Sequence, residues 1–143
     1  MTVFRDADQV YECVGGLMDR AKLDPKIGAK IKKSGLILQF NYTDPDAQTT
    51  VNAKDAPTQT GAFVDVIHGP TSLKPDVSMS MKADTAHAFW HGKVNLLSAL
   101  SKKEIVAKGP IPKILKLLPA VEPLYKIYPQ LLNELGYDEL VIK

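Results

Sequence analysis

The stretch from Asp76 to Gly109 constrains the fold more than any other part of the chain. Residues 77–82 read Val-Ser-Met-Ser-Met-Lys, so apolar and polar side chains alternate without exception. A period of two predicts a β-strand with Val77, Met79 and Met81 on one face. This strand therefore needs an apolar core against one face only.

A helix is predicted directly after this strand. Ala83-Asp84-Thr85 begins it, and Asp84 is of the residue type that caps helices. Ala86, Phe89 and Trp90 share one side of the helix, and Gly92 ends it because glycine adopts left-handed backbone angles readily.

A second helix and a strand complete the stretch. Asn95 is predicted to cap a helix that carries Leu96, Leu97, Ala99 and Leu100. Residues 103–108 then form a final strand, which ends at Gly109-Pro110. The apolar sides of these elements all require the same core.

This order of elements resembles the sterol carrier protein type 2 domain family. The resemblance rests on Asp-Val-x-Met-x-Met at 76–81, a short helix, Gly92-Lys93-Val94-Asn95, a second helix and a lysine-bearing strand closed by Gly109. The family's fold is a five-stranded sheet covered by helices, with an apolar tunnel for lipids. Its members usually carry a glycine just before the last strand, where this chain has Lys102-Lys103-Glu104.

Three further strands are predicted upstream, at Leu36–Tyr42, Thr49–Ala53 and Gly61–His68. Their short connections favour an antiparallel meander over alternating parallel units. With the resemblance, which extends back to about Leu36, they imply an α+β fold with a five-stranded, mostly antiparallel sheet covered by helices.

Two helices are predicted before the sheet, at residues 6–22 and from Asp24-Pro25 to Gly35. Gly15-Gly16 weakens the first helix by about 1 kcal/mol per glycine relative to alanine. A close approach of another backbone or of a ligand would explain these glycines. A tolerated local cost is the alternative interpretation.

The C-terminal tail keeps an apolar spacing of three to four from Ile114 to Leu135, although several prolines interrupt it. An interior proline costs about 3 kcal/mol in a helix, so we expect short helices, broken near Pro119 and kinked near Pro129. This tail is predicted to fold over the sheet as a lid. The chain is expected to form one domain over 1–143, with N-terminal helices at 1–35, sheet and short helices at 36–109 and tail at 110–143.

Composition excludes several functional classes. The net charge of the 143 residues is +2, too small to predict nucleic-acid binding, and a single cysteine excludes an internal disulfide. The sequence favours a cytoplasmic protein, since it shows no signal peptide or membrane-spanning run. It contains no serine-hydrolase, phosphate-loop or HExxH motif, and no cofactor is predicted.

Three weak candidates for chemistry remain. His87 and His91 lie one helical turn apart, a spacing that could hold a metal with His68 or a carboxylate, but solvent-facing histidines are commoner. Asp65 is an acid or base candidate if its strand face is inward, and a solvated carboxylate otherwise. Cys13 is more typical of a core than of a nucleophile.

The apolar side chains carry the main hypothesis, a non-enzymatic carrier of a sterol, fatty acid or fatty acyl-CoA in an internal tunnel. Methionine adapts to ligands of varied shape, although only the resemblance makes a tunnel preferable to a filled core. The residues predicted to line it are Leu38, Phe40, Val64, Val66, Met79, Met81, Phe89, Trp90, Leu97, Leu100, Leu117, Leu118, Leu124, Tyr128 and Leu131. A register shift of one would exchange Val64 and Val66 for Phe63 and Ile67.

Two alternatives stay open. One is an enzyme or enzyme accessory that acts on a hydrophobic substrate in the same pocket through Asp65 or the histidine pair. The other is an interaction module that forms a homodimer through its tail. The lysines Lys102, Lys103, Lys108, Lys113 and Lys116 could touch an anionic membrane surface or phosphates, with a solvated face as the simpler interpretation.

Overall fold

Five strands form one sheet whose order is β3-β2-β1-β4-β5 in the computed structural model, which describes residues 2–142. The strands are β1 (Ile37–Thr43), β2 (Ala47–Asn52), β3 (Asp65–His68), β4 (Val77–Lys82) and β5 (Ile105–Lys108). The predicted α+β architecture, with its five-stranded and mostly antiparallel sheet, is therefore confirmed.

One parallel pair stands at the centre of this sheet. β1–β2, β2–β3 and β4–β5 are antiparallel, which confirms the predicted meander, whereas β1 and β4 run parallel. The Asp76 carboxylate accepts a hydrogen bond of 2.9 Å from the Ile37 amide and so fixes where this pair begins. In its register Phe40 lies beside Met79, and Tyr42 lies beside Met81.

The third strand is shorter than predicted, because only Asp65–His68 pairs with β2. The side chain of Asp65 accepts hydrogen bonds from the backbone amide and the hydroxyl of Thr58. These bonds fold the preceding loop back on the strand, so Gly61 stays in a turn with a φ of 86°. Val64 is nevertheless buried just before the strand begins.

Helices precede the sheet in the sequence and also follow β4 and β5. The N-terminal ones are α1 (Ala7–Val10), a π-helical turn (Tyr11–Gly15), α2 (Gly16–Leu23) and α3 (Ile27–Ser34). The later ones are α4 (Ala83–Trp90), α5 (Leu96–Ser101), α6 (Ile111–Val121), α7 (Leu124–Glu134) and a 3-10 turn (Asp138–Leu140). The side chain of Asp6 caps α1. Gly35 ends α3 with a φ of 65°, as predicted.

The caps of α4 and α5 match the predictions only in part. Asn95 accepts a hydrogen bond from the Ser98 amide and caps α5, and Gly92 follows α4 with a φ of 74°. Asp84 was wrongly predicted as the cap of α4, because the helix begins at Ala83, after Lys82, two residues earlier than a cap at Asp84 would allow. The Asp84 carboxylate instead accepts from the Val3 amide at 2.9 Å and holds the N-terminal segment.

The tail forms two helices, but the predicted break near Pro119 is wrong. Pro119 lies inside α6 with an exposed ring, and the chain changes direction at Glu122-Pro123. A proline at this exposed position removes one backbone hydrogen bond without clashing with the core. Pro129 likewise lies inside α7.

The two faces of the sheet differ in character. Register places Leu38, Val51 and Val66 on the helix-covered face, in line with the aromatic and methionine side chains of β1 and β4. Gln39 and Thr50 lie on the opposite face and hydrogen-bond to each other across β1 and β2. The core therefore lies on one side of the sheet, as the alternation in β4 predicted.

The glycine pair in the first helix has a packing role at one position. A Cβ on Gly15 would lie 2.7 Å from Cε1 of His68, whereas a Cβ on Gly16 would make an ordinary contact at 3.5 Å with Leu131. The His68 ring is held there by Asp19, at 3.0 Å from its Nε2 atom, and by Thr49. The structure therefore shows a close approach at Gly15, but it is made by the His68 side chain and not by the backbone or ligand suggested from the sequence.

We predict that Gly15→Ala lowers the free energy of unfolding by about 1–3 kcal/mol relative to Gly16→Ala. Both variants gain similar helix propensity, so the difference isolates the contact with His68. Urea unfolding measures it. Adding His68→Ala should remove the difference, and equal stabilities of the two glycine variants would contradict this packing role.

A second prediction concerns Lys103, in the turn before β5. Its φ is 61°, in the left-handed region that a side chain disfavours. We predict that Lys103→Gly stabilises the protein by about 1 kcal/mol in thermal unfolding. Lys102→Gly, at a right-handed position, serves as the control and should destabilise; the reverse order would refute strain at Lys103.

Candidate functional site

An apolar cavity lies between the helix-covered face of the sheet and helices α4, α5 and α6. Its floor is the parallel pair, where Phe40, Tyr42, Met79 and Met81 stand side by side, and Ile105 of β5 extends it. The complete lining is Phe40, Tyr42, Met79, Met81, Ala86, Phe89, Trp90, Leu96, Ile105, Ile114, Leu117, Leu118 and Val121.

Helix α6 forms the roof of the cavity. Ile114, Leu117, Leu118 and Val121 follow a helical spacing, so one face of α6 points to the sheet. Only Ile114 of these four is buried, and the other three are half-buried. The roof is therefore incompletely packed against the floor.

Aromatic rings form one side wall. Phe89 and Trp90 of α4 meet edge to face with their centroids 4.9 Å apart, and Tyr125 of α7 lies 5.8 Å from Phe89 in the same geometry. Edge-to-face pairs of this kind contribute about 0.5–1.5 kcal/mol beyond area burial. This wall links the cavity to α7.

The free volume of the cavity is about 80 Å³. An engineered cavity of about 150 Å³ holds one benzene molecule. The space present is therefore smaller than a long alkyl chain or a sterol, and such a ligand would have to displace lining side chains or α6.

The predicted tunnel residues divide into two groups. Those around the cavity are Phe40, Met79, Met81, Phe89, Trp90, Leu117 and Leu118. Those elsewhere are Leu38, Val64, Leu124, Tyr128 and Leu131, which are buried in the core, Val66 and Leu100, which are half-buried, and Leu97. Leu97 is 61% exposed, because the Asn95 cap sets a register in which Leu96 and Ala99 face inward.

Several lining residues were not predicted from sequence. Tyr42 continues the alternation of Phe40, and Ile114 and Val121 belong to the same helical stripe as Leu117 and Leu118, so these three had a readable signal. Ala86 was predicted on the same side of α4 as Phe89 and Trp90, and the Asn95 cap turns Leu96 inward, so these two residues also had a local signal. Ile105 depends on how β5 docks, and no local pattern contains that information.

Asp65 does not face the cavity. It pairs in register with Asn52 on the polar face of the sheet, and its carboxylate is occupied by Thr58. The observed face therefore corresponds to the solvated interpretation of this carboxylate.

His87 and His91 serve as hydrogen-bonding groups within the fold. His87 is buried, its Nε2–H donates to the Leu140 carbonyl oxygen at 2.7 Å, and its Nδ1 accepts from the Tyr128 hydroxyl at 2.8 Å. The Nδ1–H of His91 donates to the His87 carbonyl oxygen, and its Nε2 accepts from the Ile142 amide. All four ring nitrogens are thereby occupied, and the two rings hold the C-terminal residues against α4 and α7.

Other candidates for chemistry lie apart from this pair. His68 lies on β3, the strand at the edge of the sheet away from the cavity, and contacts Asp19 and Thr49 there. Within residues 2–142, no three histidine, cysteine, aspartate or glutamate side chains converge as a metal site would require. Cys13 is fully buried, and this burial raises the pKa of its thiol to about 12, so it remains protonated at neutral pH.

The lysines singled out from sequence separate into different surfaces. Lys113 and Lys116 of α6 face Lys30 and Lys33 of α3 across a cleft. Lys103 borders a different depression, beside Glu104 and Lys82.

The fold and its cavity define a helix-covered, five-stranded sheet with an apolar interior at one end. Residues 17–122 match the model of the SCP-2 sterol transfer family. This match covers most of the chain, which therefore belongs to that family. The resemblance seen in the sequence is confirmed. A search of curated proteins gave no match.

Solved structures share the fold at low sequence identity. Sterol carrier protein 2 of Yarrowia lipolytica in its apo form is 19% identical, with a TM-score of 0.57 over 93% of this chain and 97% of the other. The sterol carrier protein domain 2 of Helicoverpa armigera is 19% identical, with a TM-score of 0.58 over 79% and 88%. Palmitated SCP2L2 of Aedes aegypti is 20% identical, with a TM-score of 0.52 over 76% and 94%.

A helix that crosses a membrane must be both long and apolar. Across residues 2–142, no helix combines the length and the apolar content that a bilayer span requires.

The histidine pair generates a pH prediction. Burial, first of all, lowers the pKa of His87 from 6.5 to about 4, and burial also lowers the pKa of His91. As the pH falls, the unfolded chain binds protons on these rings at a higher pH than the folded protein does. The contribution of the neutral rings to the free energy of unfolding is therefore fully present above about pH 6.5 and is lost as the pH drops toward 4. We expect His87 to contribute a loss of about 3 kcal/mol over this range.

Urea unfolding at pH 4.5–7 tests this expectation against His87→Gln, whose amide does not titrate. The variant should be less stable at pH 7 and should show a shallower loss of stability toward acid. Parallel curves for the two proteins would contradict the neutral, buried state of His87.

Proposed function

We propose that this protein binds a hydrophobic ligand with a long alkyl or sterol body in the cavity between the sheet and α6, and carries it without chemical conversion. The observation that supports this most directly is the cavity itself, whose lining is apolar along β1, β4, α4, α5 and α6. Family membership points the same way, and the SCP2L2 relative from Aedes aegypti is described as palmitated.

Ligand uptake in this proposal requires α6 to move. The helix packs along α3 and is flanked by Gly109-Pro110 and by Glu122-Pro123, where the chain turns. Three of its four side chains over the cavity are only half-buried, so displacing α6 gives up less packing than displacing α7 would. In α7, by contrast, Leu124, Tyr128 and Leu132 are almost fully buried.

Methionines on the floor supply the second adjustment. Met79 and Met81 are unbranched and can change rotamer around ligands of different shape. Because their strand is at the centre of the sheet, the backbone beneath them stays fixed while the side chains yield. The expanded cavity then holds a hydrocarbon chain that is too large for the present free volume of about 80 Å³.

The energetics suit a reversible carrier. Burying about fifteen methylene groups at ~0.8 kcal/mol each contributes roughly 12 kcal/mol before costs. Lost ligand freedom and the displacement of α6 offset much of this gain, which leaves binding in the micromolar range. Such affinity allows both uptake and release.

Charge placed in the cavity should prevent binding. We predict that Met81→Glu and Leu118→Glu each abolish the uptake of a fluorescent fatty acid, because a buried carboxylate would face only apolar groups. Leu97→Glu is the matched control, since Leu97 lies on an adjacent helix but is exposed, and it should bind as the unmodified protein does.

Fluorescence titration, with circular dichroism to verify folding, measures these effects. Leu118 is half-buried, so Leu118→Glu keeps the test valid if Met81→Glu fails to fold. Normal uptake by folded Leu118→Glu would refute the cavity as the binding site.

A further inference from the structure

A basic cleft lies next to the cavity, between helices α3 and α6. Lys30 and Lys33 line it from α3, and Lys113 and Lys116 line it from α6. Each pair is spaced by three residues and so lies on one face of its helix. Ser34, Leu36 and Leu117 complete the lining of a space of about 320 Å³.

Over residues 2–142, the four charges in this cleft are not in contact with a carboxylate, although Lys113, after the Ile37 amide and Lys54, helps to lower the pKa of the nearby Asp76. Within residues 2–142, none of these lysines forms an ion pair, and no acidic side chain lines the cleft. The nearby Asp76 carboxylate is occupied by the Ile37 amide and by Lys54 at 3.0 Å. Four ammonium groups around one space repel one another, and an anion between them would relieve that repulsion.

Leu117 connects the cleft to the cavity, because its side chain lines both. A chain that leaves the cavity past Leu117 would therefore emerge between the two lysine pairs. Only the Leu117 side chain separates the apolar cavity from the basic cleft at this point. This is the arrangement that an amphiphile with an anionic end requires.

We propose that the cleft binds the anionic headgroup, a carboxylate or a phosphate, of the ligand whose hydrocarbon chain occupies the cavity. This inference rests on the proposed function and adds a selectivity to it, for acids over neutral lipids of equal length. The same headgroup would bridge α3 and α6, and thereby hold the roof closed over a bound chain.

The test replaces the four cleft lysines by glutamine, as Lys30→Gln, Lys33→Gln, Lys113→Gln and Lys116→Gln in one protein. The control carries the same change at Lys26, Lys74, Lys93 and Lys126, which are exposed and lie outside the cleft. Affinities are measured for a fluorescent fatty acid, for the corresponding fatty alcohol and for a monoalkyl phosphate.

We expect the cleft variant to lose about tenfold in affinity for the acid and the phosphate in low salt and to bind the alcohol unchanged. The control variant should bind all three as the unmodified protein does. The difference should shrink in 0.5 M salt, because the four cleft lysines are exposed and exposed charges are screened.

Each contrary result has a separate meaning. Unchanged acid binding by the cleft variant overturns the headgroup site but leaves the carrier function intact, whereas failure of the unmodified protein to bind any probe overturns the carrier function. Equal losses for acid and alcohol would assign the lysines a role in the fold and overturn the proposal. Lysine-dependent binding of inorganic phosphate that leaves acid binding undisturbed would mean an independent small-anion site, and would also overturn it.

Discussion

The parallel contact between β1 and β4 is the constraint on which the rest of this structure depends. It sets Phe40 beside Met79 and Tyr42 beside Met81, and so makes a broad apolar area at the centre of the sheet. Exposing such an apolar area to water is unfavourable, and helices α4, α5 and α6 cover it. They meet above it without filling the space, and α6 also packs against α3. The cavity is a consequence of this geometry.

The molecule thus has a densely packed part and a loosely packed part. Around α2 and α7 the side chains of Leu17, Tyr128 and Leu132 are almost fully buried, and His87 connects two helices and the C-terminal residues through both ring nitrogens. On α6, Ile114 is buried, but Leu117, Leu118 and Val121 are only half-buried. Local opening begins where buried apolar contact is least, so the fold itself directs motion to the roof of the cavity.

Much of the fold could be read from local patterns, since these report what a segment does on its own. The alternation at 77–82, the Asn95 cap and the glycine after α3 each appear where they were predicted. The parallel pairing of β1 with β4 could not be predicted by periodicity, because alternation indicates a face and not a partner. For Pro119 the expected cost depends on what the proline ring meets, and here it meets solvent.

Most residues of the floor and roof of the candidate site could be predicted from the sequence, but not every residue at its edges could. Phe40, Met79 and Met81 follow from the alternation of their strands, and Leu117 and Leu118 from helical spacing. Leu97 could not be separated from Leu96 by composition, since only the cap decides which leucine turns inward. The cleft lysines lie on helices far apart in sequence, so their convergence was visible only in the structure.

Lipid carriage by this fold requires the space under α6 to expand around a hydrocarbon chain. Isotope-edited NMR with a ¹³C-labelled fatty acid detects this expansion, by recording nuclear Overhauser contacts between the ligand chain and protein methyl groups. We expect contacts to the methyl groups of Met79, Met81 and Leu118 and none to those of Leu97. Contacts confined to Leu97 and other exposed side chains, with the methionine signals unchanged at saturation, would contradict binding under α6.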